Sequence, residues 1–224
     1  MIRLAWLLAL TVLLAGCGGA GAVAASAGRH RATSSPAASP TPRDLPVATP
    51  IMRTADDPTG PPGPTTANVE AGPQPVRVRI PTIGIDSTLA QLGLNGDGTI
   101  QVPPDFNQAG WYTRGPAPGD PGPAIILGHV DSYTGPAIFA RLSTMRPGDK
   151  VSVDRADGSV AGFTVQRVET VPVDPFPTQE VYGATPEPSL RLITCGGSYS
   201  LVQRRYLSNV VVFATLSGVR SRPG

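Results

Sequence analysis

An all-β fold, a barrel closed on itself or a sandwich, is what the larger part of this chain predicts. Three observations carry the expectation. From Val76 onward the apolar residues fall in short runs that alternate or are rich in β-branched side chains. Turn residues interrupt those runs at close spacing, among them Asn95-Gly96, Pro147-Gly148-Asp149 and Asp157-Gly158. Helical periodicity is nearly absent, with room for one or two turns at Ile138-Phe139-Ala140-Arg141-Leu142.

The first run, Val76-Arg77-Val78-Arg79-Ile80, alternates, and Pro81 ends it or keeps it at an edge because proline cannot donate to a ladder. Ile83, Ile85, Leu89, Leu92 and Leu94 continue in short pieces broken by Gly84, Gly93 and the Asn95-Gly96 turn. Trp111-Tyr112 follows Ala109-Gly110, and a Pro/Gly loop leads to Ala124-Ile125-Ile126-Leu127, a wholly apolar strand that ends in Gly128-His129. Lys150 to Asp154 and Gly162 to Val171 pair as a hairpin about Asp157-Gly158. A proline-punctuated loop from Val173 to Pro188 carries Phe176, Val181 and Tyr182. Leu190 to Cys195 is a strand expected to break into a turn at Gly196-Gly197, and Asn209 to Ala214 is the last strand.

The 224 residues divide unevenly. Arg3 precedes an apolar stretch, Leu4 to Leu14, that is short for a membrane span, and Ala15-Gly16-Cys17 follows. Leu14-Ala15-Gly16-Cys17 resembles the bacterial lipoprotein signal, whose cysteine is lipidated and becomes the first mature residue. The other reading of residues 1–17 is an uncleaved anchor. Both make the chain extracytoplasmic and tethered to the membrane. Residues 18–75 are Pro, Ala, Ser, Thr and Gly with hardly an aromatic, too poor in apolar surface to offset chain entropy. They predict a disordered linker with a reach on the order of 100 Å. His30 lies there without a companion ligand. Residues 76–217 suffice for one domain, and 218–224 form a tail. A net charge of +2 supplies no basic field for nucleic acid.

Only two cysteines occur, and a lipidated Cys17 cannot pair with Cys195. An exported domain is thereby left with one odd thiol, the pattern of a reactive or intermolecular cysteine. Alternation puts Arg191, Ile193 and Cys195 on one face, with Leu190, Leu192 and Thr194 on the other. The thiol is either a buried small hydrophobe or a nucleophile presented by a rigid strand end. His129 has the same two readings, a satisfied structural imidazole or a proton-transfer group. Both residues end buried strands, and two such ends can meet at one rim of a small barrel. There a thiolate can attack a carbonyl while an imidazolium protonates the departing amine. An arginine or a backbone N–H would then steady the oxyanion. One domain histidine and one domain cysteine are too few soft ligands for zinc, so no metal is expected.

Three pieces of the domain resemble one family. Leu192-Ile193-Thr194-Cys195 is similar to the cysteine strand of the sortases, Gram-positive cell-surface cysteine transpeptidases. Gly128-His129, followed by Phe139, Leu142 and Gly148-Asp149, is similar to their histidine segment, and Asn209 to Ala214 to the strand that closes their barrel. Cys195-Gly196-Gly197 with the Pro/Ala-rich tail looks most like class F, an actinobacterial group. The resemblance implies a closed eight-stranded β-barrel, with His129 and Cys195 catalytic and no cofactor. It implies a substrate protein with a short sorting motif, a thioacyl intermediate on Cys195, and an amine acceptor such as a cell-wall precursor or a pilin lysine. Calcium is not carried over, because no clustered acidic loop is present.

Two departures stand out. The family has a threonine four positions before the cysteine, where this chain has Arg191. Its third catalytic residue is an arginine near the start of the last strand. Arg205 is the first choice for that role, then Arg204, then Arg191; alignment from the closing Val-Phe-Ala puts Asn209 in the slot instead. Phe176, Val181 and Tyr182 either line the groove for the motif or cover the barrel. The competing functions are a cysteine hydrolase using the same dyad, and a non-catalytic surface lipoprotein that displays a β-barrel for binding.

Overall fold

Alternation at the start of the domain produces strand β1 (Pro75–Ile80), which buries Val78 and Ile80 and turns Val76 outward. The computed structural model of the chain describes residues 72–221. Residues 1–71 and 222–224 lie outside the described residues, and with them the signal-like segment, Cys17, His30 and nearly all of the predicted linker. After β1 come β2 (Ile85–Leu92), β3 (Ala109–Tyr112), β4 (Gly122–Leu127) and the two-residue strands β5 (Asp131–Ser132) and β6 (Gly135–Pro136). The chain continues through β7 (Lys150–Arg155), β8 (Ser159–Pro172), the short helix α1 (Thr178–Tyr182), β9 (Pro188–Ser200) and β10 (Arg205–Ser221).

Among the described residues, eight strands close a barrel in the order β1-β2-β3-β4-β9-β10-β8-β7, and β5-β6 form a separate ribbon. Two neighbour pairs run parallel, β2 with β3 and β4 with β9; the rest are antiparallel. Closed barrels have no free edges, which suits a small domain of short strands.

Two apolar clusters follow from strand alternation. The larger takes Val78, Ile80, Ile85, Trp111, Ile126, Val153, Phe163, Leu192 and Val212, with contributions from all eight strands, and is therefore the barrel interior. The smaller lies on the outer wall, where Ile125, Leu127, Ile193, Val211 and Phe213 meet Val181 and Tyr182. The Val173–Pro188 connection thus contains a helical turn, α1, whose buried face seals one wall of the barrel. Prolines hid this helix, because five residues leave no periodicity to read.

The barrel closes between β1 and β7. Arg79 Nη1 and Nη2 donate to the two carboxylate oxygens of Asp154, each at 2.6 Å, and Arg77 pairs with Asp86 on the neighbouring strand. Asp154 is almost wholly buried, so the fork of donors offsets the cost of removing its charge from water. At this same end the chain enters and leaves the barrel. Pro75 pairs with Arg155, and Ser221 with Ser159, on either side of the Asp157-Gly158 turn.

The breaks expected at Gly84 and Gly93 bound β2: Gly84 caps the preceding 3-10 turn at φ 74°, and Ile85 to Leu92 runs between the two glycines. Two local expectations are corrected. The helical turn expected at Ile138–Leu142 is a 3-10 turn over Leu142–Thr144. Gly196-Gly197 does not end the cysteine strand. Pairing runs on to Ser200, and Gly197, at φ 71°, absorbs a bulge in which Gly197 and Ser198 stand opposite Leu207 alone.

Asp154→Asn is expected to lower stability by about 2 kcal/mol, because a neutral amide cannot accept both guanidinium donors. Urea unfolding checks this as a lower midpoint with an unchanged slope.

Candidate active site

The parallel pairing of β4 with β9 builds the site. Six consecutive pairs, from Gly122 opposite Pro188 to Leu127 opposite Ile193, hold one register, and Gly128 N–H still donates to the Ile193 carbonyl at 3.2 Å. Carried two residues further, the register sets His129 beside Cys195. On the other side of β9, Cys195 pairs directly with Asn209 of β10. Alternation puts all three on the outer wall, in line with Ile125 and Leu127, with Ile193, and with Val211 and Phe213. Cys195 and Asn209 therefore sit side by side on neighbouring strands, and His129 follows just beyond the end of β4 in the same register. Gly128 is required there: a Cβ would lie 2.6 Å from the Phe139 ring.

All three are nearly or fully removed from solvent, with His129 4 %, Cys195 3 % and Asn209 0 % exposed. His129 Nε2 lies 2.9 Å from the Pro103 carbonyl oxygen. A carbonyl only accepts, so Nε2 carries the hydrogen and Nδ1 is the ring nitrogen left for proton transfer. The Phe106 ring packs on the imidazole with centroids 4.6 Å apart, and Tyr133 meets Phe106 edge-on. Neither Pro103 nor Phe106 was picked out from the sequence. A backbone carbonyl leaves no trace there, although an aromatic in a loop is such a signal.

Cys195 carries a thiol, not a disulfide. Burial, and secondly the Asp131 carboxylate, push its pKa up to about 12. Asp131 also accepts a hydrogen bond from Tyr206 Oη at 2.6 Å, which ties the β5–β6 ribbon to β10; burial, and secondly this bond, raise the phenol's pKa. At rest the thiol is protonated, so nucleophilic chemistry needs a proton acceptor at hand, and His129 is the neighbour able to serve.

Asn209 has neither Oδ1 nor Nδ2 hydrogen-bonded, although it is fully buried. Each unsatisfied group costs about 1–3 kcal/mol. The arginines lie elsewhere. Arg205 pairs with Ser200, about 16 Å along the strand from Cys195 at ~3.3 Å per residue, and its Nε donates to Gln203. Arg204 is exposed in the adjoining turn at φ 52°. Arg191 shares the cysteine's face but sits four residues back, its guanidinium 4.6 Å from the Phe213 centroid and its Nε buried without a partner. Arg167, held by Glu180 of α1 at 2.6 Å, also lies over that ring. Desolvation, and secondly Arg167, lower the Arg191 pKa to about 10. The structure pairs Cys195 with Asn209 and leaves His129 two residues past the end of β4, in the register that leads toward Cys195; Arg205 and Arg204 lie at the hairpin tip, and Arg191 four residues back along β9. Val181 and Tyr182 are buried in the wall, while Phe176, against Tyr182, keeps partial exposure.

A family model of the sortase domain matches residues 78–217. The chain belongs to the sortase family. Solved sortases share the fold at low identity. Streptococcus pneumoniae sortase C superposes with a TM-score of 0.51 at 22 % identity, over 67 % of this chain and 70 % of that one. Listeria monocytogenes sortase A gives 0.51 at 16 % identity over 66 % and 91 %. Streptococcus agalactiae sortase C1, determined in complex with MTSET, gives 0.51 at 18 % identity over 66 % and 72 %. A comparison with curated proteins finds no match. Among the described residues of this sortase, no group of three or more His, Cys, Asp or Glu is placed to hold a metal ion, and no helix is long and apolar enough to cross a membrane.

Alkylation of Cys195 by iodoacetamide is expected to be slow at pH 8, where a thiol of pKa about 12 is thiolate in roughly one molecule in ten thousand. The rate should climb through pH 10 without a plateau. Asp131→Asn removes a negative charge yet keeps an acceptor for Tyr206, so the thiol pKa falls and the rate at pH 8 rises roughly 3- to 10-fold. Mass spectrometry of the labelled peptide measures both.

Proposed function

We propose that this sortase-family protein is a class F-like transpeptidase acting through Cys195 and His129. The observation that supports this best is the β4–β9 register, which, carried two residues past Leu127 and Ile193, leads to His129 and Cys195, both buried. Cys195 Sγ attacks the threonine carbonyl carbon of a sorting motif as its proton passes to His129 Nδ1. The tetrahedral intermediate collapses, the C–N bond breaks, and the imidazolium returns that proton to the leaving glycine amine. A thioester remains on Cys195. A second amine, from a cell-wall precursor or a pilin lysine, attacks it and gives its proton to His129; the C–S bond breaks, an amide leaves, and the imidazolium returns that proton to Sγ. No cofactor takes part. Phe176 is the groove residue best exposed to meet the motif.

Burial of the pair favours an amine over water in the second step, since a dry site protects a thioester from hydrolysis. Pro103 and Phe106, which hold the imidazole, would have to admit the peptide beside it. The likeness of residues 14–17 to a lipoprotein signal supports tethering through a lipidated Cys17, on the outer side of the membrane, with surface proteins as substrates.

Incubation of the full chain with a sorting-signal peptide library and amine nucleophiles should yield a thioacyl adduct on Cys195 and an amide product. Cys195→Ala should abolish both, and His129→Ala should lower turnover by about a thousandfold. Turnover retained in folded Cys195→Ala would overturn the transpeptidase reading. A free acid as the sole product would make the protein a hydrolase, and no adduct with any peptide would leave a binding module.

A further inference from the structure

In this sortase the position opposite Cys195 holds a neutral amide, and the candidate arginines sit elsewhere along β9, β10 and the turn that joins them. We propose that Asn209 is a catalytic residue that stabilises the oxyanion, taking the part that an arginine plays elsewhere in the family. The inference rests on Cys195 being the acyl-carrying nucleophile.

Three observations converge on Asn209. It is the direct cross-strand partner of Cys195, and side chains so paired have Cβ atoms roughly 5 Å apart on one face. A carbonyl carbon bonded to Sγ therefore places its oxygen within reach of the Nδ2 hydrogens. Asn209 is also fully buried with both polar atoms unsatisfied. A buried donor that the folded chain leaves unused, beside a nucleophile, is one whose partner arrives with the substrate. Lastly, the candidate arginines are placed elsewhere: Arg205 at the hairpin tip with Gln203, Arg204 exposed in the adjoining turn, and Arg191 against Phe213.

The chemistry suits the surroundings. An amide brings no charge, so it can wait in a dry site without a counter-ion, whereas a buried guanidinium needs one. In the tetrahedral intermediate an N–H of Nδ2 donates to the oxyanion, and when the C–N bond breaks the oxygen returns to carbonyl character and the bond weakens. The interaction is strongest at the transition state, so it acts on kcat.

The test uses the full chain and a peptide that the wild type turns over in a Cys195-dependent way. Asn209→Ala should lower kcat by about a hundredfold with KM changed less than about threefold. Its melting temperature should equal or exceed that of the wild type, because an unsatisfied amide is removed. Asn209→Asp keeps the shape but loses the donor and adds a negative charge, and its kcat should be at least as low. A merely structural asparagine would give the opposite pattern, with stability lost and kcat retained. The proposal is overturned if Asn209→Ala keeps more than about a third of wild-type kcat, or if Arg205→Ala shows the hundredfold loss instead. A wild type that forms no thioacyl adduct with any peptide would sink the underlying transpeptidase reading as well, an outcome visible before any variant is made.

Discussion

The parallel ladder between Gly122–Leu127 and Pro188–Ile193 is the constraint on which the site depends. Parallel neighbours cannot be joined by a tight turn, so the chain between them must travel. It does so by building the β5–β6 ribbon, the β7–β8 hairpin and α1 before returning as β9. Two of those elements then acquire a task at the site or the wall: the ribbon brings Asp131, and α1 seals the face below Cys195. A slip of one residue in this ladder would turn His129 from the outer wall to the barrel interior.

Burial sets the character of the site. Taking the thiol out of water and placing Asp131 near it both favour the neutral sulfur, so the resting protein carries a quiet cysteine. The same dryness strengthens any hydrogen bond formed once a carbonyl enters. The molecule bears a cost in stability through an amide left unsatisfied at Asn209, beside the thiol. Arg191 and Arg167 stack on Phe213 along the same wall, and Glu180 balances part of their charge.

Much of this was legible in the chain. Alternation located the strands, because half-buried strands must alternate, and it placed Arg191, Ile193 and Cys195 on one face. The histidine and cysteine stood out as the only such side chains in the domain, each at the end of an apolar run. What stayed hidden were pairings between distant segments. Nothing local says that Ala124–Leu127 lies parallel to Leu190–Ile193, and without that pairing the nearness of His129 to Cys195 is a guess. The doubled glycine after Cys195 read as a turn because a bulge has the same composition; the difference lies in whether a partner strand continues. That strand does continue, as far as Arg205, and this carries the doubled arginine up the hairpin and leaves Asn209 opposite the thiol.

The positions of Pro75 and Ser221 have a practical consequence. Both flank the Asp157-Gly158 turn at the start of β8, while the site lies beside Val171, about 40 Å further along that strand. A tag or a solid support joined directly to Pro75 or Ser221 would start at the far side of the barrel from the wall that carries Cys195. Domain forms cut at those two residues can therefore be immobilised from either point without placing the junction beside the thiol.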